Sequence, residues 1–297
     1  MKSLAAVLAL TIAGAGLPAC VGASDGGAPP TPVAASAPAG DVGATGPRVV
    51  PGARCGLGGP GASASPKPST KAGTLRAGNP NGGADVPAEA RAVDTSRPTR
   101  TIGSGTAASC TSAAVVEAVA AGGVITFDCG SEPVTIKMTA TAKVRNANGP
   151  RVVLDGGGKV TLSGQGQRRI LYMNTCDSAQ GWTTSHCQNQ DHPQLTVQNL
   201  TFADGNSTGE RAEGGGGAIY CDGNEFAVRI AGTIIEGNRA NEGGGAVFFV
   251  SNDRTGTMRV ENSTLRRNPS GGFETRGYPG IFFLGARNPT VTNSKLS

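Results

Sequence analysis

Leu195-Thr-Val197-Gln-Asn-Leu-Thr-Phe202 is echoed by Val228-Arg-Ile230-Ala-Gly-Thr-Ile-Ile235, by Met258-Arg-Val260-Glu-Asn-Ser-Thr-Leu265 and by a shorter Val291-Thr-Asn-Ser-Lys-Leu296. The anchoring positions Val197, Ile230, Val260 and Val291 are 33, 30 and 31 residues apart. A second motif alternates with the first, as Gly216-Gly-Ala-Ile-Tyr220 and then Gly244-Gly-Ala-Val-Phe248. Each complete repeat also runs on to an asparagine: Asn206, Asn238 and Asn268. Two different motifs recurring in step at one period are the mark of a repeat architecture.

A unit of this length with two or three short strands cannot close a core by itself. Stacked on its own copies, it buries a continuous apolar column. Alternate strand residues point inward, so Val197, Ile230, Val260 and Val291 are expected to form one row, with Phe202, Ile235 and Leu265 forming a second. Gly and Asn suit the corners because they accept positive φ. Stacked Asn side chains can hydrogen-bond as a ladder. Upstream, Thr111 or Ser112 caps a short helix that reaches Ala121 and ends at Gly122-Gly123. Short strands follow near residues 124–129, 134–138, 152–155, 160–163 and 169–173, with glycine turns between them. The expectation is an all-β parallel β-helix, a solenoid, over residues 99–297, with that helix as its N-terminal cap.

The alternation of Gly-Gly-Ala-Ile/Val with a Phe-x-x-Asn-like corner resembles the repeats of polymorphic outer-membrane proteins. The opening Ser109-Cys-Thr, the run Gly122-Gly-Val-Ile-Thr-Phe-Asp-Cys-Gly130 and the step Leu154-Asp-Gly-Gly-Gly158 are similar to bacterial proteins of the pectin-lyase-like superfamily. The resemblance covers residue 101 to the end and implies a right-handed parallel β-helix. It departs at Phe202, which has one extra residue before its Asn, and at Ile235 and Leu265, which stand where Phe is expected. That fold carries lyases, hydrolases, adhesins and passenger domains alike, so the resemblance speaks to architecture and leaves activity open.

The first third of the chain reads differently. Met1-Lys2, an apolar run from Leu4 to Ile12 and the small residues up to Leu17-Pro18-Ala19-Cys20 form an export signal over residues 1–20. Its end resembles a lipoprotein cleavage site, which implies lipidation of Cys20. Pro18 departs from that pattern, and ordinary cleavage near Ala19 or Ala23 is the alternative. Residues 21–98 are rich in Ala, Gly, Pro and Ser and poor in large apolar groups, so they are expected to be a disordered tether. The protein is thus expected to be exported and either anchored at an outer membrane or extracellular. The net charge of +5 is modest and scattered, which gives no case for nucleic acid. Two histidines in the whole chain argue against a multi-His metal site.

Of the seven cysteines, Cys110 and Cys129 bracket the capping helix and its strand, while Cys176 and Cys187 bracket an insertion. Both pairs are expected to be disulfides. Cys55 and Cys221 have no evident partner. The insertion holds the only tryptophan, Trp182, with His186 and His192. It reads either as a binding loop with Trp182 stacking on a sugar or as a decorated loop pinned by its disulfide. Asp204, Glu236 and Arg266 each stand two residues before a corner Asn and are expected to form a column. Its two carboxylates could hold calcium or approach the pairing of a glycosidase. Polysaccharide lyases of the resembling fold use acidic metal ligands and a basic residue. A solvated charge column is the plainer reading. Tyr220 and Phe248 form either an outward stripe for glycans or part of the core, depending on register. No cofactor other than calcium is suggested.

The function favoured is an anchored cell-surface β-helix for adhesion or glycan binding. The alternative is an extracellular polysaccharide lyase or glycoside hydrolase. The fourth repeat stops at Ser297 before its corner Asn, so a truncated product, or an open end suited to end-to-end association, is expected. If Cys20 is the anchor, mass spectrometry of the mature N-terminal peptide will show a lipid-modified Cys20. An unmodified peptide beginning after Cys20 would exclude the anchor.

Overall fold

The computed structural model describes residues 75–183, 187, 190–210, 214–223, 227–251, 256–271 and 280–297. Cys20, Cys55, His186 and most of the expected tether lie outside them. The secondary structure is mainly β. Strand β1 (Arg100–Ile102) precedes helix α1 (Ser112–Ala121), which is followed by β2 (Gly123–Phe127), β3 (Val134–Lys137) and β4 (Ala142–Lys143). Next come β5 (Arg151–Ser163), β6 (Leu171–Asn174), β7 (Gln194–Ala203) and β8 (Ile219–Asp222). The later repeats supply β9 (Ala227–Ala231), β10 (Ile234–Glu236), β11 (Val247–Val250), β12 (Thr257–Glu261), β13 (Thr264–Arg266), β14 (Ile281–Leu284), β15 (Thr290–Thr292) and β16 (Lys295–Leu296).

These strands make two sheets, and every pairing is parallel. The larger follows β1-β2-β5-β7-β10-β13-β16, with β3, β9, β12 and β15 joined to it. The smaller runs β4-β6-β8-β11-β14. From β4 onward the chain visits the two sheets in turn, as stacked repeats require. The aligned positions are paired as the spacing predicts: Val197 with Ile230, Ile230 with Val260, and Val260 with Val291. Phe202 stands beside Ile235, Ile235 beside Leu265, and Leu265 beside Leu296. Val197, Ile230, Val260, Phe202 and Ile235 are fully buried. Each such side chain contributes roughly 1.5–3 kcal/mol of transfer free energy. The last repeat carries exposed apolar groups instead, at Phe283, Leu284, Val291 and Leu296.

The corners differ from expectation in one respect. Asn238 and Asn268 form the ladder: Asn238 Nδ2 donates to Asn268 Oδ1 at 2.9 Å, and Asn238 Oδ1 accepts from Gly205 N at 2.7 Å. Asn206 is not part of it. The register runs on unbroken past Phe202, and Asp204 takes the same positive φ as Gly237 and Arg267, so Gly205 falls at the ladder position and Asn206, one residue later, pairs with Arg239. A second corner is built from Asn199, Gly232, Asn262 and Asn293, all with positive φ. Beside it runs a hydroxyl ladder in which Thr233 N donates to Ser263 Oγ, and Ser263 N to Ser294 Oγ, each at 3.1 Å.

Helix α1 forms where expected. Thr111 is its N-cap, its hydroxyl accepting from Ala114 N at 3.2 Å, and Gly122 ends it at φ +70°. Val115 and Val119 are fully buried against the first strands, so the helix covers that end of the core. The Cys110–Cys129 bond ties the helix to β2, with Cα atoms 5.7 Å apart. Cys221 is free and buried in the core row with Met173 and Phe249, where burial pushes its thiol well above the ordinary range.

Residues 75–98, read as tether, are an ordered strap. Asn79 N donates to Asn293 O at 2.8 Å, and Ala84 exchanges two hydrogen bonds with the Asn293 amide, so the corner of the last repeat is not left bare. The strap then crosses successive repeats toward the first. Val93 exchanges two bonds with the Gln198 amide at 2.8 and 2.9 Å, Thr95 donates to Asp155 Oδ2 at 2.7 Å, and Thr99 N reaches Val124 O at 2.8 Å. Its few apolar groups matter less than these bonds, each worth about 1 kcal/mol. Ala90 alone is fully buried.

Asp155 is the knot of the strap. Burial raises its carboxyl, but donors from Gln198, Gly157 N, Thr95 and Asn199 outweigh that and hold it below the usual range. Its folded value lies below the unfolded one. Its contribution is therefore complete above the ordinary value of about 3.9 and is lost as pH falls through the folded value. Asp155→Asn is expected to lower Tm at pH 7 and to flatten the acid side of the Tm profile below about pH 4. Parallel acid branches for variant and wild type, measured by calorimetry, would exclude this role.

Candidate functional site

The expected column of Asp204, Glu236 and Arg266 forms only in part. Glu236 stands beside Arg266 on one side but beside Ala203, not Asp204, on the other. Glu236 Oε2 accepts from Arg266 Nη2 at 2.6 Å and from Arg267 Nη2 at 3.2 Å. Asp204 sits one position further, exposed at the turn, with its N donating to Glu236 O. The two carboxylates therefore stand at different register positions, and that of Glu236 is already paired with two guanidiniums. Among the described residues no group of three His, Cys, Asp or Glu side chains could hold a metal ion. The Glu236 network contributes at most about 1 kcal/mol, as partly exposed pairs do.

Tyr220 and Phe248 belong to a longer aromatic stack on the smaller sheet. Tyr172, Tyr220, Phe248 and Phe282 follow one another at 5.4, 5.0 and 4.9 Å between centroids, nearly parallel. Their neighbours Ile219, Cys221, Val247 and Phe249 fill the core, so the stack faces outward. Its Tyr172 and Tyr220 rings are nevertheless buried, while Phe248 and Phe282 are half-buried. A Cβ on Gly215 would lie 2.2 Å from the Phe248 ring, and one on Gly243 would lie 2.7 Å from Phe282, so glycine backbone packs flat on the rings. Arg169, also buried, lies over Tyr220 at 4.7 Å and donates to Gly215 O and Gly216 O. Tyr220 is 3% exposed, which removes it as a sugar-contact residue. The sequence reading missed Tyr172, Phe282 and Arg169, although Tyr172 and Phe282 occupy the equivalent strand position.

At one end of the stack the phenols meet two carboxyls on adjacent repeats. Tyr172 Oη donates to Asp177 Oδ2 at 3.1 Å, and Tyr220 Oη to Asp222 Oδ2 at 3.2 Å. Their surroundings push them in opposite directions. Burial raises Asp177, but Gln180, Ala179 N, Tyr172 and the Lys143 charge together hold it below the usual range. At Asp222 burial wins over the bonds from Gly223 N and Tyr220, and its carboxyl is pushed up. The two carboxyls thus sit in opposite electrostatic settings.

The insertion after β6 is closed by the Cys176–Cys187 bond, with Cα atoms 5.0 Å apart, so both expected disulfides form. A turn at Ser178–Gln180 leads to Trp182, which is 49% exposed. Its ring lies parallel to His192, 6.3 Å between centroids and 4° apart. His192 Nδ1 is 2.7 Å from Asp191 Oδ1. Beside them Gly149, Pro150, Asp191, His192 and Gln194 line an open recess of about 330 Å³. An exposed indole held flat beside polar groups suits the apolar face and hydroxyl rim of a sugar ring.

The chain matches no protein-family model, no curated protein and no solved structure.

Asp222 gives a test of the site's electrostatics. A carboxyl whose folded value is raised costs stability once ionised, and that cost grows as pH rises from the unfolded to the folded value. Asp222→Asn is therefore expected to keep or raise Tm at pH 7 and to lose that advantage below about pH 4. A variant that melts lower at pH 7 by as much as at pH 4 would show that the carboxylate's bonds outweigh its burial.

Proposed function

We propose that this chain is an exported surface protein, anchored through Cys20, whose right-handed parallel β-helix presents a glycan-contact platform at Trp182 and His192. The stacked parallel repeats and their register support the β-helix, and the resemblance to pectin-lyase-like proteins supports its hand. The two disulfides fit an oxidising compartment. No helix among the described residues is long and apolar enough to cross a membrane. The observation that carries the reading is the half-exposed Trp182, fixed parallel to His192 on a disulfide-closed loop.

Trp182 is the only tryptophan, so its fluorescence reports the platform directly. Titration with a panel of neutral and acidic polysaccharides is expected to shift the emission saturably for at least one of them. Trp182→Ala should weaken retention of that polysaccharide by tenfold or more with little change in Tm. If no polysaccharide moves the emission, the platform is decoration.

A second reading, an extracellular polysaccharide lyase or glycoside hydrolase, is favoured by a separate observation: the opposed carboxyls Asp177 and Asp222 with their phenols. It requires new reducing ends or unsaturated products from a polysaccharide, abolished by Asp222→Asn.

A further inference from the structure

Thr196, Arg229, Arg259 and Thr290 stand side by side on four consecutive repeats of the larger sheet. Their neighbours Val228, Ile230, Met258 and Val260 face the core, so this row faces outward, beside the strap turn Ala88–Ala90. Register places the backbones of the two arginines about one strand spacing apart, roughly 4.8 Å. Arg151 adds a third positive charge that acts on Arg229.

Little on the chain answers this charge. Glu89 of the strap reaches Arg259 Nη2 only at 3.6 Å and is more than half exposed. Arg259 also donates to Asn288 O. Glu261, two residues beyond Arg259, makes no ion pair with it, and burial pushes its carboxyl up. The Arg229 guanidinium has neither a hydrogen bond nor an ion pair among the described residues, and of the carboxylates only the Glu89 charge acts on it. Three polar atoms of the row are buried without partners: Arg229 Nε, Arg259 Nε and Thr290 Oγ1. Arg259 itself is 9% exposed, while Arg229 is partly open to solvent.

Like charges stacked in register, partly desolvated and short of acceptors, are unfavourable by themselves. An anion with several oxygens would answer both guanidiniums, through charge-assisted bonds. We propose that the Arg229–Arg259 pair is an oxyanion site for a sulfate- or phosphate-type group, either free or carried on an acidic polymer. The arginines supply charge and N–H donors, and Glu89 limits the affinity by repulsion. The site is independent of the glycan reading, which rests on the loop after β6.

The test is calorimetric titration of sodium sulfate into the full chain at constant ionic strength, with Tm measured alongside. A saturable single site is expected, with Tm rising as the logarithm of free sulfate. General exclusion of sulfate from the surface also raises Tm, but without saturation. Arg229→Gln should weaken sulfate at least tenfold. Glu89→Gln, at an exposed position, should tighten it severalfold, and it decides the matter even if Arg229→Gln does not fold. Inorganic phosphate and a sulfated polysaccharide form further arms: polymer binding lost in Arg229→Gln assigns a polymer-borne group, and sulfate or phosphate binding alone assigns a free ion. Absence of saturable heat with the wild type, or affinities unchanged in both variants, overturns the proposal.

Discussion

Hydrogen bonding between the backbones of consecutive repeats, in a register that sets each residue beside its counterpart, is the interaction everything else depends on. No repeat can satisfy its own strand N–H and C=O groups, because their partners lie one repeat away. The register is pinned from both sides. Slipping by one residue would carry Val197, Ile230 and Val260 to the outer face and turn Gln198, Ala231 and Glu261 inward. The corners reinforce it, since the Asn238 amide bonds to backbone on its own and the preceding repeat and to Asn268 on the next.

Like-on-like stacking has consequences that depend on the residue. For apolar and aromatic groups it is favourable, and the line from Tyr172 to Phe282 gains both burial and ring contact. Charge requires a remedy. Glu236 draws in Arg266 and Arg267, whereas the Arg229–Arg259 pair finds only the distant Glu89. Arg169 shows a third remedy, a buried cation met by carbonyls and ring faces.

The strap is a different kind of interaction. It crosses the repeats instead of extending them, and it ties the Asn293 corner of the last repeat to β2 near the first. Opening any one repeat along its path would break some of these contacts. A solenoid whose repeats touch only their neighbours unravels from its ends. A strap bonded along its length couples those ends.

The sequence by itself determined the parallel repeat, its register, the capping helix and the two disulfides. These are local or periodic, and each partner lies one period or one loop away. Even the departure near Asp204 was visible as one residue too many before Asn206, though not that the register would run on unbroken and set Asp204 one position past Glu236. Only the tertiary structure decided that residues 75–98 are ordered, because their partners at Asp155, Gln198, Thr264 and Asn293 lie far along the chain and leave no trace in composition. It also decided that Tyr220 is covered while Trp182 is not. Register says which way a side chain points, but whether backbone from another segment lies over it depends on how loops pack. The same holds for the arginine row, whose burial and shortage of acceptors depend on the strap packed beside it.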